Sequence, residues 1–144
     1  MDGIRGPEDQ AEQAVSQQQA EAARREFVAL LGEFRRTAVL VPLDDQDGLW
    51  SAESGGLRWI CAFSHEEALA RFLRAQGATD ADRDRPYLKV LGARLLDEAV
   101  GAVGVPCGVA LDPGSADGVL FPPVRGIVPD PVAVDADDTE DVAA

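Results

Sequence analysis

Apolar residues recur along this chain in two rhythms, one helical and one extended. Phe27, Leu30, Leu31 and Phe34 fall at i, i+3, i+4 and i+7, the spacing of one helix face. They close a stretch from about Glu8 to Arg36 that is rich in Ala, Glu, Gln and Arg and broken only by Gly32. A long helix is expected there, docking through its C-terminal half. Thr37 to Leu43 (TAVLVPL) reads as a strand buried on both faces, with Pro42 at its end. Residues 49–53 and Leu57 to Phe63 read as two further strands around a turn at 54–56, completing an antiparallel meander. Ser64-His65-Glu66-Glu67 fits a capping box with Ser64 as the cap. Leu69, Phe72 and Leu73 follow as the apolar stripe, and Gly77 as the C′ residue. Tyr87 to Leu91 is a strand. Leu96, Val100 and Val103 mark a third helix ended by Gly104 and Pro106. Cys107 to Leu111 and 118–121 are short strands.

That order predicts an α/β chain of the α+β kind: one mixed, mostly antiparallel sheet with about three packed helices. Its 144 residues and 46% hydrophobic content suit a single core. The polar, Gly- and Pro-broken start sets 1–23 apart as a flexible acidic segment that runs into the helix. The globular domain is expected at 24–129, and 130–144 as a disordered acidic tail.

Charge sharpens this division. The net charge is -13, and ten of those negative charges lie in the two ends, leaving the centre nearly balanced. This acidity argues against nucleic-acid and anionic-membrane partners, which select basic surfaces. No apolar run approaches the roughly 20 residues of a membrane span, and no signal segment is visible. A cytoplasmic location is therefore expected, with Cys61 and Cys107 as buried thiols rather than a disulfide. Twelve Arg against one Lys (Lys89), and no Asn, suggest a GC-rich coding sequence of actinobacterial type.

From Phe27 to about Pro122 the local words resemble the SseB N-terminal domain family. A helix precedes Val39-Leu40-Val41-Pro42-Leu43. A hairpin leads to a strand ending in Phe63-Ser64, which opens the helix Ser64-His65-Glu66-Glu67-Ala68-Leu69. Later Gly108-Val109-Ala110-Leu111 runs into Asp112-Pro113-Gly114-Ser115, with Asp112 where the pattern has asparagine. The resemblance implies a compact α/β domain of a bacterial cytoplasmic protein and carries over no catalytic residue set. The second domain usual in the family is not expected in this chain.

Candidate chemistry is sparse. His65 is the only histidine and reads as an exposed first-turn residue. With two separated cysteines it makes no zinc site, and no metal, cofactor or catalytic set is expected. Asp44-Asp45-Gln46-Asp47-Gly48 misses the calcium-loop pattern, because Leu43 and Ser54 stand where ligands are needed. It reads as a hairpin turn. The loop after the buried 107–111 strand is the best ligand or partner candidate, through Asp112, Gly114, Ser115 and Asp117. Its structural reading is a turn closed by a local Asp112 side-chain bond, with Gly114 at positive φ. Leu30, Phe34, Trp50 and Trp59 are candidates for an interaction surface. The two Trp are expected nearly opposite each other on neighbouring strands. Basic pairs at Arg24-Arg25 and Arg35-Arg36 suggest contact with the acidic tail. Two functions follow: a non-enzymatic interaction module with a protein partner or self-association, or a small-ligand-binding or enzymatic domain using the 112–118 loop.

Overall fold

The structure, a computed structural model, describes residues 7–77 and 85–135. The fold is α+β. The chain divides at Glu33/Phe34 into two compact units. The first is helical: α1 (Pro7–Arg36) supplies it, and only its last three residues belong to the second unit. The helix closes where the Thr37 N–H donates to the Phe34 carbonyl at 3.1 Å.

In the second unit, β1 (Ala38–Pro42) is the most apolar segment. Val39, Leu40 and Val41 are all buried, as a strand covered on both faces must be. β2 (Ser51–Ser54) and β3 (Leu57–Ala62) form the expected hairpin around Gly55-Gly56. The rest of the meander is corrected. Among the described residues β1 meets the segment before β2 through a bridge between Leu43 and Leu49 and a Trp50 N–H bond to the Pro42 carbonyl, and its full antiparallel ladder is with β4 (Tyr87–Leu91). Pro42 has no N–H to offer on the side facing Trp50, so that pairing stops early. Asp44 folds the chain tightly beyond it, its Oδ1 accepting the N–H groups of Gln46 and Gly48 at 2.8 and 2.9 Å.

The strands therefore form two sheets rather than one. β1 and β4 make a two-stranded sheet. The second is mixed, in the order β2-β3-β5-β6, with β5 (Cys107–Leu111) parallel to β3 and β6 (Val119–Phe121) antiparallel to β5. A single bridge joins the sheets, where Leu40 and Phe63 exchange two hydrogen bonds of 2.8 Å.

α2 (Glu66–Ala75) covers one face of this junction. Its Ala68, Leu69 and Leu73 pack with Leu40, Cys61 and Phe63 in one apolar cluster. The cap is shifted by one residue from expectation. His65, not Ser64, is the N-cap, its Nδ1 accepting the Ala68 N–H at 3.2 Å. Gly77 ends the helix as expected, at φ 80° with its N–H on the Arg74 carbonyl.

α3 runs through Gly92–Arg94, a π-helical turn at Leu95–Ala99 and Val100–Ala102. The wider turn lets the consecutive Leu95 and Leu96 both point inward beside Val100, each at most 2% exposed. α3 is tied to the end of α1 by a two-pronged pair, Arg35 to Asp97, at 3.0 and 2.8 Å. The guanidinium holds the Asp97 carboxyl below its usual range, and Asp97 raises Arg35 in turn.

Packed structure continues past the expected boundary at 129. Asp130–Val132 is a 3-10 turn. Val128 and Ala133 are buried, and the Val134 N–H donates to the Pro123 carbonyl at 2.8 Å. Asp135 accepts the Arg125 N–H, also at 2.8 Å. The remainder of the expected tail, from 136 on, lies outside the described residues, as does the expected segment before Pro7.

Candidate functional site

β5 ends at the loop singled out from the sequence. Asp112 turns the chain there with φ 50°, in the left-handed region that few side chains tolerate. Its carboxylate does not close the turn locally, as expected, but reaches 48 residues back. Oδ1 accepts the Ser64 N–H at 2.9 Å and Oδ2 accepts the Ser64 hydroxyl at 2.7 Å. The Asp112 N–H donates to the Ala62 carbonyl at 2.8 Å. The loop is thereby fixed to the start of α2. Gly114 has φ 86°, as the turn reading requires.

Fixing the loop creates a groove of about 260 Å³ between it and α2. Phe72 and Pro113 contribute apolar surface, and Arg71 and Gln76 stand along it with Gly114 and Ser115. Three of the four loop candidates, Asp112, Gly114 and Ser115, thus share one groove, and Asp117 does not line it. Arg71 and Gln76 were not foreseen. Their signal was present in the 68, 71, 72, 75, 76 spacing, one helix face beside the apolar stripe. Among the described residues neither side chain has a hydrogen bond or ion pair. The arrangement sets one guanidinium and one amide beside apolar surface, with the Asp112 carboxylate, already bonded to Ser64, also lining the groove.

The groove offers no nucleophile with a base. The Ser115 hydroxyl accepts the Asp117 N–H at 3.2 Å, and the His65 Nδ1 is occupied in the cap. No cluster of three or more His, Cys, Asp or Glu among the described residues could hold a metal ion. Cys61 and Cys107 are free and buried, and burial pushes the Cys61 thiol up to about 11.

The four surface candidates are placed separately. Leu30, in the first unit, is 36% exposed. Phe34 is corrected: it is buried, its ring stacked on Phe121 with centroids 4.5 Å apart. Its place in the helical stripe marked it as apolar but could not distinguish core from contact surface. Trp50 and Trp59 are not opposed. The hairpin register sets Ala52 against Trp59, while the Trp50 carbonyl accepts the Cys61 N–H at 3.0 Å. Trp50 packs edge-on against Phe72 and carries the Arg85 guanidinium 5.0 Å from its ring centre. Trp59 lies over Gly108, whose missing side chain makes room for the indole. A Cβ there would come within 2.9 Å of the ring and would collide with the Phe121 carbonyl oxygen. Both indoles are half-buried.

Val28, Val105 and Leu120 are exposed singly, but among the described residues β4 gathers three exposed large apolar side chains on one strand, where none was expected. Tyr87, Leu88 and Leu91 are 40%, 49% and 45% exposed. The Tyr87 phenol donates to Glu66 at 2.7 Å, which raises its pKa because a phenolate would sit against the carboxylate. The strand itself was foreseen. Which of its edges stays open depends on strand order, which periodicity does not carry.

An α+β domain with a loop-and-helix groove and an open apolar strand is thus the class that fold and site define. The chain matches the SseB protein N-terminal domain over residues 9–125. It belongs to that family, and the match extends the resemblance seen from Phe27 to Pro122 in both directions. Comparison with curated proteins and with solved structures returns no match. No helix among the described residues is long and apolar enough to cross a membrane.

Proposed function

We propose that this chain is a non-enzymatic protein-interaction module. The observation that carries the reading is β4: a strand paired on one side only among the described residues, with three large apolar side chains at least 40% exposed. Open apolar edges are usually blunted or covered, because they recruit other chains. The net charge of -13 favours a protein partner over nucleic acid. Two free buried thiols fit a reducing, cytoplasmic setting.

The test uses Lys89, the only lysine in the sequence, as a reporter on this strand. An amine-reactive cross-linker applied to the full chain in cell extract should join Lys89 to a discrete partner. A Leu88→Glu/Leu91→Glu variant should lose that product while keeping its unfolding midpoint. A product that survives the double substitution overturns the reading.

The groove beside Ser115 supports a second reading, a site for a small anionic ligand. Its observation is the Arg71 guanidinium, which has no partner among the described residues. A thermal-shift screen of small carboxylates and phosphates tests it. A stabilising hit should vanish in Arg71→Ala, and a blank screen counts against this reading.

A further inference from the structure

The hydrogen bonds around β1 decide which backbone groups of β4 are open. The Leu43 N–H donates to the Pro86 carbonyl at 2.9 Å and the Gly92 N–H to the Thr37 carbonyl at 2.9 Å. In an antiparallel pair such bonded positions alternate. In the register that sets Val41 against Leu88 and Val39 against Val90, residues 88 and 90 turn their backbone groups toward β1. The N–H and carbonyl groups of Tyr87 and Lys89, and the N–H of Leu91, point the other way. β1 obeys the same alternation on its far side, where Leu40 bonds Phe63 and the Pro42 carbonyl accepts from Trp50. The outward groups of Tyr87, Lys89 and Leu91 have no partner among the described residues.

The two faces of this edge differ in chemistry. Leu88 and Val90 share one face and border a groove of about 400 Å³ with Leu49, Leu95, Ala99 and Ala102, the paired Arg94 and Glu98 also lining it. Lys89 lies on the opposite face between the exposed Tyr87 and Leu91, with no ion pair among the described residues. A strand laid along this edge alternates in the same way. Its side chains on the groove side meet mainly apolar surface, and those on the other side meet one ammonium group set between two apolar side chains.

We propose that the open edge of β4 takes up an extended segment of a partner protein as an added strand, apolar toward the Leu88–Val90 groove and acidic toward Lys89. This rests on the interaction reading above and names the partner's chemistry. Charge selects this occupant over a second copy of the chain. A symmetric antiparallel pair of β4 strands with matching faces puts the two Lys89 ammonium groups opposite or diagonal to one another, which is unfavourable. Main-chain bonds would supply affinity, and the alternation would supply selectivity.

The experiment is a titration of the ¹⁵N-labelled full chain with two probes, the acetylated and amidated peptides EVELE and KVKLK, read by amide shifts. The amides of Tyr87, Lys89 and Leu91 should move with EVELE and become protected from exchange. At 150 mM NaCl, where the long-range field of the chain's net charge of -13 is screened and a cross-strand contact is not, EVELE should bind about fivefold more tightly than KVKLK. Lys89→Glu should reverse the preference while leaving the unfolding midpoint unchanged. Equal binding of the two peptides, or shifts confined to other elements, overturns the proposal. So does a dimer in light scattering that is lost in Leu88→Glu/Leu91→Glu, which would assign the edge to a second copy. If neither peptide moves β4 while the Lys89 cross-link still depends on Leu88 and Leu91, strand addition is wrong and the interaction reading stands. If the cross-link also fails, both are wrong.

Discussion

Asp112 combines a backbone at φ 50° with two hydrogen bonds to Ser64, one on each carboxylate oxygen. The two features make separate demands on the side chain. Asn tolerates the left-handed region as well as Asp does, and its amide can keep both contacts if the Ser64 hydroxyl reverses from donor to acceptor. Asp112→Asn should therefore change stability by less than about 0.5 kcal/mol in urea unfolding. Asp112→Ala loses both contacts and keeps the strain, and should cost about 2 kcal/mol. Equal losses in the two variants would mean that the charge, not the geometry, holds the loop. Cys61 gives a second check. Its burial favours the thiol, so the fold gains stability that is fully present below the ordinary thiol pKa of 9.0. That stability is lost as pH rises toward about 11. Alkylation of Cys61 by iodoacetamide at pH 8 should proceed only at the rate of unfolding, measured independently by circular dichroism. The loop's importance was visible from Gly114 and the preceding buried strand. Its distant partner was not, because a bond spanning 48 residues leaves no local pattern.

α2 shows how close a sequence reading comes and where it slips. The stripe Leu69, Phe72 and Leu73 and the stop at Gly77 follow from the 3.6-residue period and the C-terminal rule, and both hold. The start slipped by one residue because Ser64 has a better offer. Asp112 takes its hydroxyl, and His65 caps in its place through Nδ1. His65→Ala should cost about 1 kcal/mol in thermal or urea unfolding, and His65→Asp or His65→Ser should recover most of it. If neither Asp nor Ser restores stability, the imidazole matters for something other than the cap. Strand pairing was harder to foresee than helix position. The β2–β3 hairpin is local and was foreseen. The β1–β4 ladder and the parallel β3–β5 pair join segments separated by whole helices, and alternation fixes faces rather than neighbours. The open β4 edge depends on those neighbours, so the sequence pointed to Trp50 and Trp59 instead.

The strongly acidic composition makes the C-terminal region look like a uniform solvated tail, yet its first six residues belong to the fold. Apolar patterning after Val128 is too short to register as an element, but Ala133 is 6% exposed and Val134 bonds the Pro123 carbonyl. Val132 also lies near Gly101 of α3, where an added Cβ would stand 3.6 Å from its Cγ1. These contacts are apolar and main-chain, with one carboxylate bonding a backbone N–H, so salt should hardly affect them. An attraction between acidic residues and the arginines of α1 would behave differently, weakening steeply with salt. Arg35, for its part, is engaged with Asp97. Two truncations separate the accounts, one ending at Pro129 and the other at Asp135. The shorter chain should be less stable than the longer by about 2 kcal/mol, the sum of one main-chain bond to Pro123, one charge-assisted bond, the lost burial of Ala133 and partial exposure of Val128. That difference, measured by urea unfolding, should be the same at 20 mM and 500 mM NaCl. A difference that disappears at high salt would place the stabilisation in charge rather than packing. No difference at either salt would return 130–135 to the solvated tail that its composition suggests.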